Sequence, residues 1–345
     1  MYIKLNMETS VIFIGDPHFQ VSNIEEVEIF IKRITDLVSE RKPDIVVIGG
    51  DLLHTHERLH TIALNKAYEF VDKMRKITKT YVLVGNHDYI QNQQFLTDNH
   101  WMNAMKDWKN TVIVDEVVIE TLNNEKLVFV PYVPPGRFED ALNTMGDDWR
   151  DASCIFAHQE FYGCKMGAII SEEGDKWSLD NPYVVSGHIH SRQIPQKNIY
   201  YSGSAMQHAF GESEKNIIAC LDIHDKTYTL DEVDLSLPRK RIVYTDTETI
   251  DELIIPTDTE DKIKVSVSGN YNEFKALKKS KKYKEMIKKG VKVVFKPKRL
   301  DTVITEENTI DNIEDERVEF MSILDSVVKK ENNEYLTKMY NNMLC

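Results

Sequence analysis

The chain has 345 residues, with 43 Lys and Arg against 56 Asp and Glu, giving a net charge of −13. At roughly 150 residues per domain, that length allows one large domain with a smaller appendage, or two domains. With 41% apolar and 29% charged residues the composition suits a soluble protein with a proper core, and it holds neither a run approaching the ~18 apolar residues of a membrane span nor an opening signal-peptide segment, so no membrane association is expected.

From the first residues to about position 235, short β-rich runs alternate with helical patterns. V-I-F-I-G (11–15) reads as a buried strand, and Ile24 to Glu40 as an amphipathic helix with Val27, Phe30, Ile31, Ile34 and Val38 on one face. D-I-V-V-I-G-G-D is the next strand, followed by a helix near 57–77, the strand Y-V-L-V-G-N-H-D, and a helix near 93–107. Beyond residue 110 the pattern turns hairpin-like, with L-V-F-V-P-Y, C-I-F-A-H, Y-V-V-S-G-H and I-I-A-C-L-D-I as further strands. This rhythm predicts an α/β sandwich with a mixed sheet or two sheets flanked by helices. Composition shifts near 238, at L-P-R-K-R. There follow an alternating strand (262–268), a Lys-rich helix (272–289) ending at Gly290, and a second strand (291–295), which together make a small β-α-β module. An acidic linker around 301–316 leads to a helix pair with apolar stripes, Val318, Met321, Leu324 and Val328, then Leu336, Met339, Tyr340, Met343 and Leu344. The expected division is 1–237, 238–300 and 301–345. Four cysteines, Cys154, Cys164, Cys220 and Cys345, form no C-x-x-C pair, which points to reducing, intracellular surroundings.

Five segments place His, Asp or Asn at or just past the end of an apolar run. They hold Asp16 and His18 in G-D-P-H, Asp51 in G-G-D, Asn86 and His87 in G-N-H-D, His158 in F-A-H-Q, and His188 and His190 in S-G-H-I-H. Strand ends converging on one sheet edge are where α/β proteins place ligands. Residues two apart on an extended chain point to the same side, so D-x-H and H-x-H can each chelate one region. The glycines before Asp51, Asn86 and His188 are expected to let the backbone turn sharply. Any one of these histidines alone would be an ordinary core or surface residue; five such segments together are not. Two carboxylates, four imidazoles and one amide are too many for a single ion that must also hold substrate. Two ions sharing one carboxylate use them naturally. A nitrogen and oxygen set without thiolate favours manganese, with iron, magnesium or zinc as alternatives.

The series D-x-H, G-D, G-N-H-D, H, G-H-x-H resembles that of the calcineurin-like metallophosphoesterases. Within that superfamily the sequence resembles the SbcD-type nuclease subunit of the nuclease–ATPase complex of double-strand-break repair. G-G-D-L-L-H (49–54) is similar to that family's G-G-D-L-F-H, and Y-S-G-S-A-M-Q-H-A-F-G-E (201–212) to its G-S … F-G-E segment. The β-α-β module and final helices follow the family's order of capping domain and ATPase-binding tail. The stretch between His158 and His188, with Glu172, Glu173 and Asp175, departs from the family pattern. The resemblance implies that Asp16, His18 and His190 hold one metal, Asn86, His158 and His188 the other, and Asp51 both. It makes His87 the general acid, with His54 at the active-site edge, and Asp88 a supporting or turn residue. The remaining histidines, His56, His60, His100, His208 and His224, read as surface or loop residues.

The implied activity is a manganese-dependent DNA exo- or endonuclease acting with an SbcC-like coiled-coil ATPase. A phosphomonoesterase or cyclic-nucleotide phosphodiesterase of the same superfamily is the alternative. Between Tyr271 and Arg299 stand twelve Lys or Arg against Glu273 and Glu285. Such a run is often only a solvated face; beside a phosphodiesterase site, Lys278, Lys279, Lys281, Lys282, Lys288 and Lys289 are expected to track DNA phosphates. Arg137 is a weaker loop candidate. The tail's amphipathic helices are expected to dock the ATPase, and by family analogy helices 57–77 and 93–107, with Trp101, Met102 and Met105, are expected to form a homodimer surface.

Overall fold

The computed structural model describes residues 8–56, 58–256 and 259–297, with Val328, Leu336, Thr337 and Tyr340 of the C-terminal segment. The architecture can be read outward from one strand, Thr9–Ile14. Val11 and Phe13 point to one face and Ile12 and Ile14 to the other, and all four are buried. A strand apolar on both faces must lie in a sheet covered on both sides. Val11 and Phe13 pack against Phe129, Phe156 and Tyr200. Ile12 and Ile14 pack against Val27, Phe30, Phe70 and Met74 of two helices.

The sheet containing that strand runs Thr227–Val233, Ile218–His224, Thr9–Ile14, Ile45–Ile48, Lys79–Leu83, Thr111–Val114. Its last four strands are parallel, and Ile218–His224 is antiparallel to Thr9–Ile14. The second sheet runs Gln193–Gln196, Ile199–Tyr201, Val184–Gly187, Cys154–His158, Glu125–Val130, Val118–Leu122, with its four inner strands parallel. The sheets meet through aromatic stacking, with the Tyr81 and Phe129 rings 3.9 Å apart. The expected sandwich is therefore two mixed six-stranded sheets with helices outside.

The helix Ile24–Arg41 buries the five residues its spacing picked out and ends with Lys42 in the left-handed region, donating its N–H to Val38. The helix expected from 57 begins instead at Thr61, where His60 Nδ1 accepts the N–H of Ile62 at 3.2 Å. The helix expected at 93–107 is replaced by one short 3-10 turn, Asn103–Met105. Met102 and Met105 are fully buried, with Trp101 packed against the same cluster. Met102 and Met105 are therefore core residues and present no dimer surface, while Trp101 keeps partial exposure.

The small module carries three parallel strands, Lys240–Asp246, Lys262–Gly269 and Lys292–Pro297, one more than expected. The anticipated single helix is broken into Tyr271–Leu277 and Lys281–Lys288, because Ser280 caps the second by accepting the Tyr283 N–H at 3.1 Å. Val265, Val267, Phe274 and Met286 form its own core. Lys240 and Lys262 lie 3.5 and 2.7 Å from the buried Glu26 on the first long helix, fastening the module to the sandwich. Lys298, Arg299 and most of 301–345 lie outside the described residues, including Val318, Met321, Leu324, Met339, Met343 and Leu344. Val328 and Tyr340 are already buried within the chain while Leu336 is exposed, so the stripe is not left wholly for a partner. Cys154 and Cys164 are buried, and both are free thiols, as is Cys220. Among the described residues no helix is long and apolar enough to cross a membrane.

Candidate metal centre

The C-terminal ends of both parallel strand sets converge at one edge. Asp16 and His18 follow Ile14, Asp51 follows Ile48, and Asn86 and His87 follow Leu83. From the second sheet, His158 ends its strand and His188 and His190 follow Gly187. Four of these residues hold left-handed backbone: Asp16 (φ 40°), His18 (45°), Asp51 (49°) and His188 (79°). Such angles are costly for L-residues and persist where surrounding bonds over-determine them. Here the His18 N–H donates to the Asp51 carbonyl at 2.9 Å, and the His188 N–H to Asp16 Oδ1 at 2.8 Å.

The glycines serve mostly another purpose than the expected sharp turn. Of those preceding Asp51, Asn86 and His188, only Gly50 has positive φ (97°). At Gly85 a Cβ would land on the Asp51 carboxylate and 2.9 Å from His158 Cε1, and at Gly187 it would strike the Gly49 carbonyl. These two glycines are required by close approach of neighbouring strand ends.

Two sets of donor atoms face each other across Asp51. Asp51 Oδ2 lies 3.5 Å from His18 Nε2 and 3.4 Å from His158 Nε2. On one side His18 Nε2 is 3.0 Å from His190 Nε2, beside the Asp16 carboxylate. On the other, Asn86 Oδ1 is 2.9 Å from His188 Nδ1 and 3.0 Å from His158 Nε2. The remaining atoms are fixed: His158 Nδ1–H donates to the Gly49 carbonyl at 2.7 Å, and Asp51 Oδ1 accepts the His87 N–H at 2.8 Å.

Electrostatics fit a cation. Burial pushes the Asp51 carboxyl up, but the facing His158 and His18 imidazoles outweigh it and hold the group well below the usual carboxylate range. Against its own burial, His158 is lifted to about 9 by Asp51 and Asp16. Burial holds His18 well below the usual imidazole range, leaving it neutral. The field that draws a proton onto His158 would equally attract a divalent ion. Asp16 Oδ2 is buried with no hydrogen-bond partner among the described residues, and two imidazole Nε2 atoms at 3.0 Å with a carboxylate beside them suit a shared cation. The residues present therefore fit divalent metal.

Residues 9–192 match the family described as calcineurin-like phosphoesterase. The chain belongs to the calcineurin-like phosphoesterase family. It is 47% identical over 95% of its length to "Putative phosphoesterase 078R" of Invertebrate iridescent virus 3, covering 94% of that protein. To "Putative phosphoesterase 244L" of Invertebrate iridescent virus 6 it is 51% identical over 79% of its length, covering 98% of that protein. The solved E. coli phosphoesterase Yfce aligns with 66% of this chain and all of its own at 14% identity, with a TM-score of 0.33, too low to speak to the site.

In this phosphoesterase, His87 is not among the seven expected donors, yet ring nitrogens of His87, His54 and His18 lie within 4.8 Å of one another, a further group able to hold a cation. The His87 Nδ1–H donates to the His54 carbonyl at 2.8 Å, and its ring lies 4.9 Å from that of His18. The His54 ring lies 5.7 Å from that of His87, nearly parallel to it. Asp88 turns away, accepting N–H groups from Gly85, Leu52 and Leu53 and the Trp101 indole, a supporting role as expected. Of the histidines expected as surface or loop residues, His56 and His208 do lie in loops but face the centre, and His100 is in the core. His208 Nε2–H donates to the Asp16 carbonyl at 2.9 Å, and its ring is 4.8 Å from that of His18. His56 lies 4.5 Å from the His87 ring. His100 is buried, 2.9 Å from Asp115. His60 and His224 are exposed, as expected.

Beyond the centre, a cavity of about 410 Å³ opens beside His188 and His190, walled by Lys165 and Met166 on one side and Glu212 and Ser213 on the other. Asp175 of the unusual stretch is structural, accepting the N–H groups of Gly136 and Phe138. Arg137 stacks its guanidinium 3.5 Å over the Phe95 ring. On the small module Lys278, Lys279, Lys281, Lys288 and Lys289 are exposed. Lys282 instead donates to the Asp251 and Leu253 carbonyls, which removes it from a free basic face.

Proposed function

We propose that this phosphoesterase is a two-ion DNA exo- or endonuclease, acting in double-strand-break repair or recombination with an SbcC-like coiled-coil ATPase. The observation that carries the proposal is the G-G-D-L-L-H turn, which places Asp51 between the two donor sets and, by its His54 carbonyl, fixes the ring of His87. Asp16, His18 and His190 would hold one ion, Asn86, His158 and His188 the other, and Asp51 both. Ions held there would supply Lewis-acid stabilisation of charge on a phosphoryl group and a nucleophilic water. The nitrogen and oxygen donor set favours manganese.

The chain's own residues do the rest. His87, with its Nδ1–H engaged, turns Nε2 to the substrate; in its imidazolium form it gives the Nε2 proton to the departing oxygen and is left as the neutral Nδ1–H imidazole. His54 keeps that ring in place through its carbonyl. The exposed lysines of the small module contact the backbone of DNA without reading sequence. The C-terminal segment docks the ATPase, and a homodimer uses the outer face of Thr61–Ile77, where Ile62 is half exposed.

Three substrates compared with and without manganese test the reading: linear duplex DNA, a small phosphodiester and a small phosphomonoester. Manganese-dependent loss of DNA together with turnover of the diester supports it. Turnover of the monoester alone, with DNA intact, replaces it with the phosphomonoesterase alternative.

A further inference from the structure

The two histidines of H-I-H are turned in opposite senses, and each has a carboxylate behind the nitrogen that faces away from the centre. His188 points Nδ1 at Asn86 Oδ1, while its Nε2 lies 3.9 Å from Glu160 Oε2. His190 points Nε2 at His18, while its Nδ1 lies 3.7 Å from Glu212 Oε1. Both separations are those of ion pairs, longer than direct hydrogen bonds.

Neither carboxylate is loose. Glu160 Oε1 accepts the Ser171 hydroxyl at 2.5 Å. Glu212 Oε2 accepts the N–H groups of His208 and Ala209 at 2.8 and 2.9 Å. The 207–212 loop is pinned from outside the sandwich, because the Lys240 N–H donates to Gln207 Oε1 at 2.6 Å and the Gln207 amide donates to the Glu212 carbonyl at 3.2 Å. A histidine that gives one nitrogen to a cation needs a partner for the other, and a carboxylate there fixes the tautomer, orients the ring and raises its basicity.

We propose that Glu160 and Glu212 are positioning residues, one for each half of the centre. Glu160 acts through His188 on the set with Asn86 and His158. Glu212 acts through His190 on the set with Asp16 and His18, and its loop ties that half to the small module. The proposal rests on the two-ion reading above.

The test is a manganese titration of the full chain, with free ion followed by electron paramagnetic resonance. It is run on the wild type, Glu160→Gln and Glu212→Gln, and on each again in Asn86→Ala and His18→Ala backgrounds, which leave one ion apiece. Glutamine is nearly isosteric, and thermal melting confirms that each variant folds. In Asn86→Ala, Glu212→Gln should weaken the remaining ion by ~10–100-fold and Glu160→Gln should leave it unchanged; in His18→Ala the pattern should reverse. Both variants binding as their parents do, or both weakening the same ion, overturns the positioning roles while the two-ion reading stands. A wild type that saturates with one ion overturns both.

Discussion

Gly85→Ala puts a single methyl group where two strand ends meet, and its effect follows from the packing. The new Cβ would fall on the Asp51 carboxylate and backbone nitrogen and 2.9 Å from His158 Cε1. Non-bonded atoms are at ease at ~3.5 Å, so Asp51 must retreat by something on the order of 1 Å. Neither neighbour can yield freely: Asp51 is held by the His87 N–H, and His158 by the Gly49 carbonyl. Overpacking of this kind costs ~1–3 kcal/mol of stability, enough to lower Tm by several degrees. A displacement of that size at the residue shared by both donor sets should also cost at least ~10² in turnover. The control is Gly136→Ala, where a Cβ meets nothing within 4 Å and only the positive φ of 83° is strained. It should cost ~1–2 kcal/mol with turnover intact. Melting curves and hydrolysis of a small phosphodiester measure the two effects, and manganese content shows whether the displaced Asp51 still loads metal. Wild-type metal content and turnover in Gly85→Ala would refute the claim that this approach fixes the centre.

Three further outcomes follow from the proposed roles. His87→Ala should retain metal and DNA affinity but slow hydrolysis by ~10²–10⁴, seen in single-turnover assays; equal loss of metal would make His87 a ligand. Replacing Lys278, Lys279, Lys281 and Lys288 with Gln should flatten the salt dependence of duplex binding by about 0.9 in log–log slope per lost contact, leaving small-diester turnover unchanged. An unaltered slope returns these lysines to a solvated face. Leu324→Asp with Met339→Asp should abolish co-purification with a coiled-coil ATPase while sparing manganese-dependent cleavage; unfolding of the sandwich would place the tail in the core.

The inner strands and the donor set were legible because each inner strand carries an apolar run and each donor sits within a few residues of a run's end; edge strands such as Gln193–Gln196 and Thr227–Val233 carry no such run and gave no signal. Asp16, Asp51, Asn86, His158 and His188 needed no tertiary information beyond the convergence of parallel strands. The outer carboxylates had no such signal. Glu212 lies 22 positions beyond His190 in a loop, and only the fold brings it to 3.7 Å. His208 was hidden for the same reason, its partner Asp16 being 192 residues away. Met102 and Met105 misled because apolar spacing says that residues are buried, not whether a partner or the chain's own core buries them. The break at Ser280 was readable: a serine three residues before Tyr283 is a good N-cap, and the lysine run obscured it. The glycines show a different limit, since sequence reveals where a side chain is excluded but not whether φ or a neighbour excludes it.

Asp51 is proposed to be shared between two ion sites. Anomalous diffraction at the manganese edge, from crystals grown with the metal, tests that sharing most directly. Two peaks are expected on opposite sides of Asp51 Oδ2, one toward His18 and His190 and the other toward Asn86, His158 and His188. A single peak at full occupancy, or two that both avoid Asp51, would contradict it.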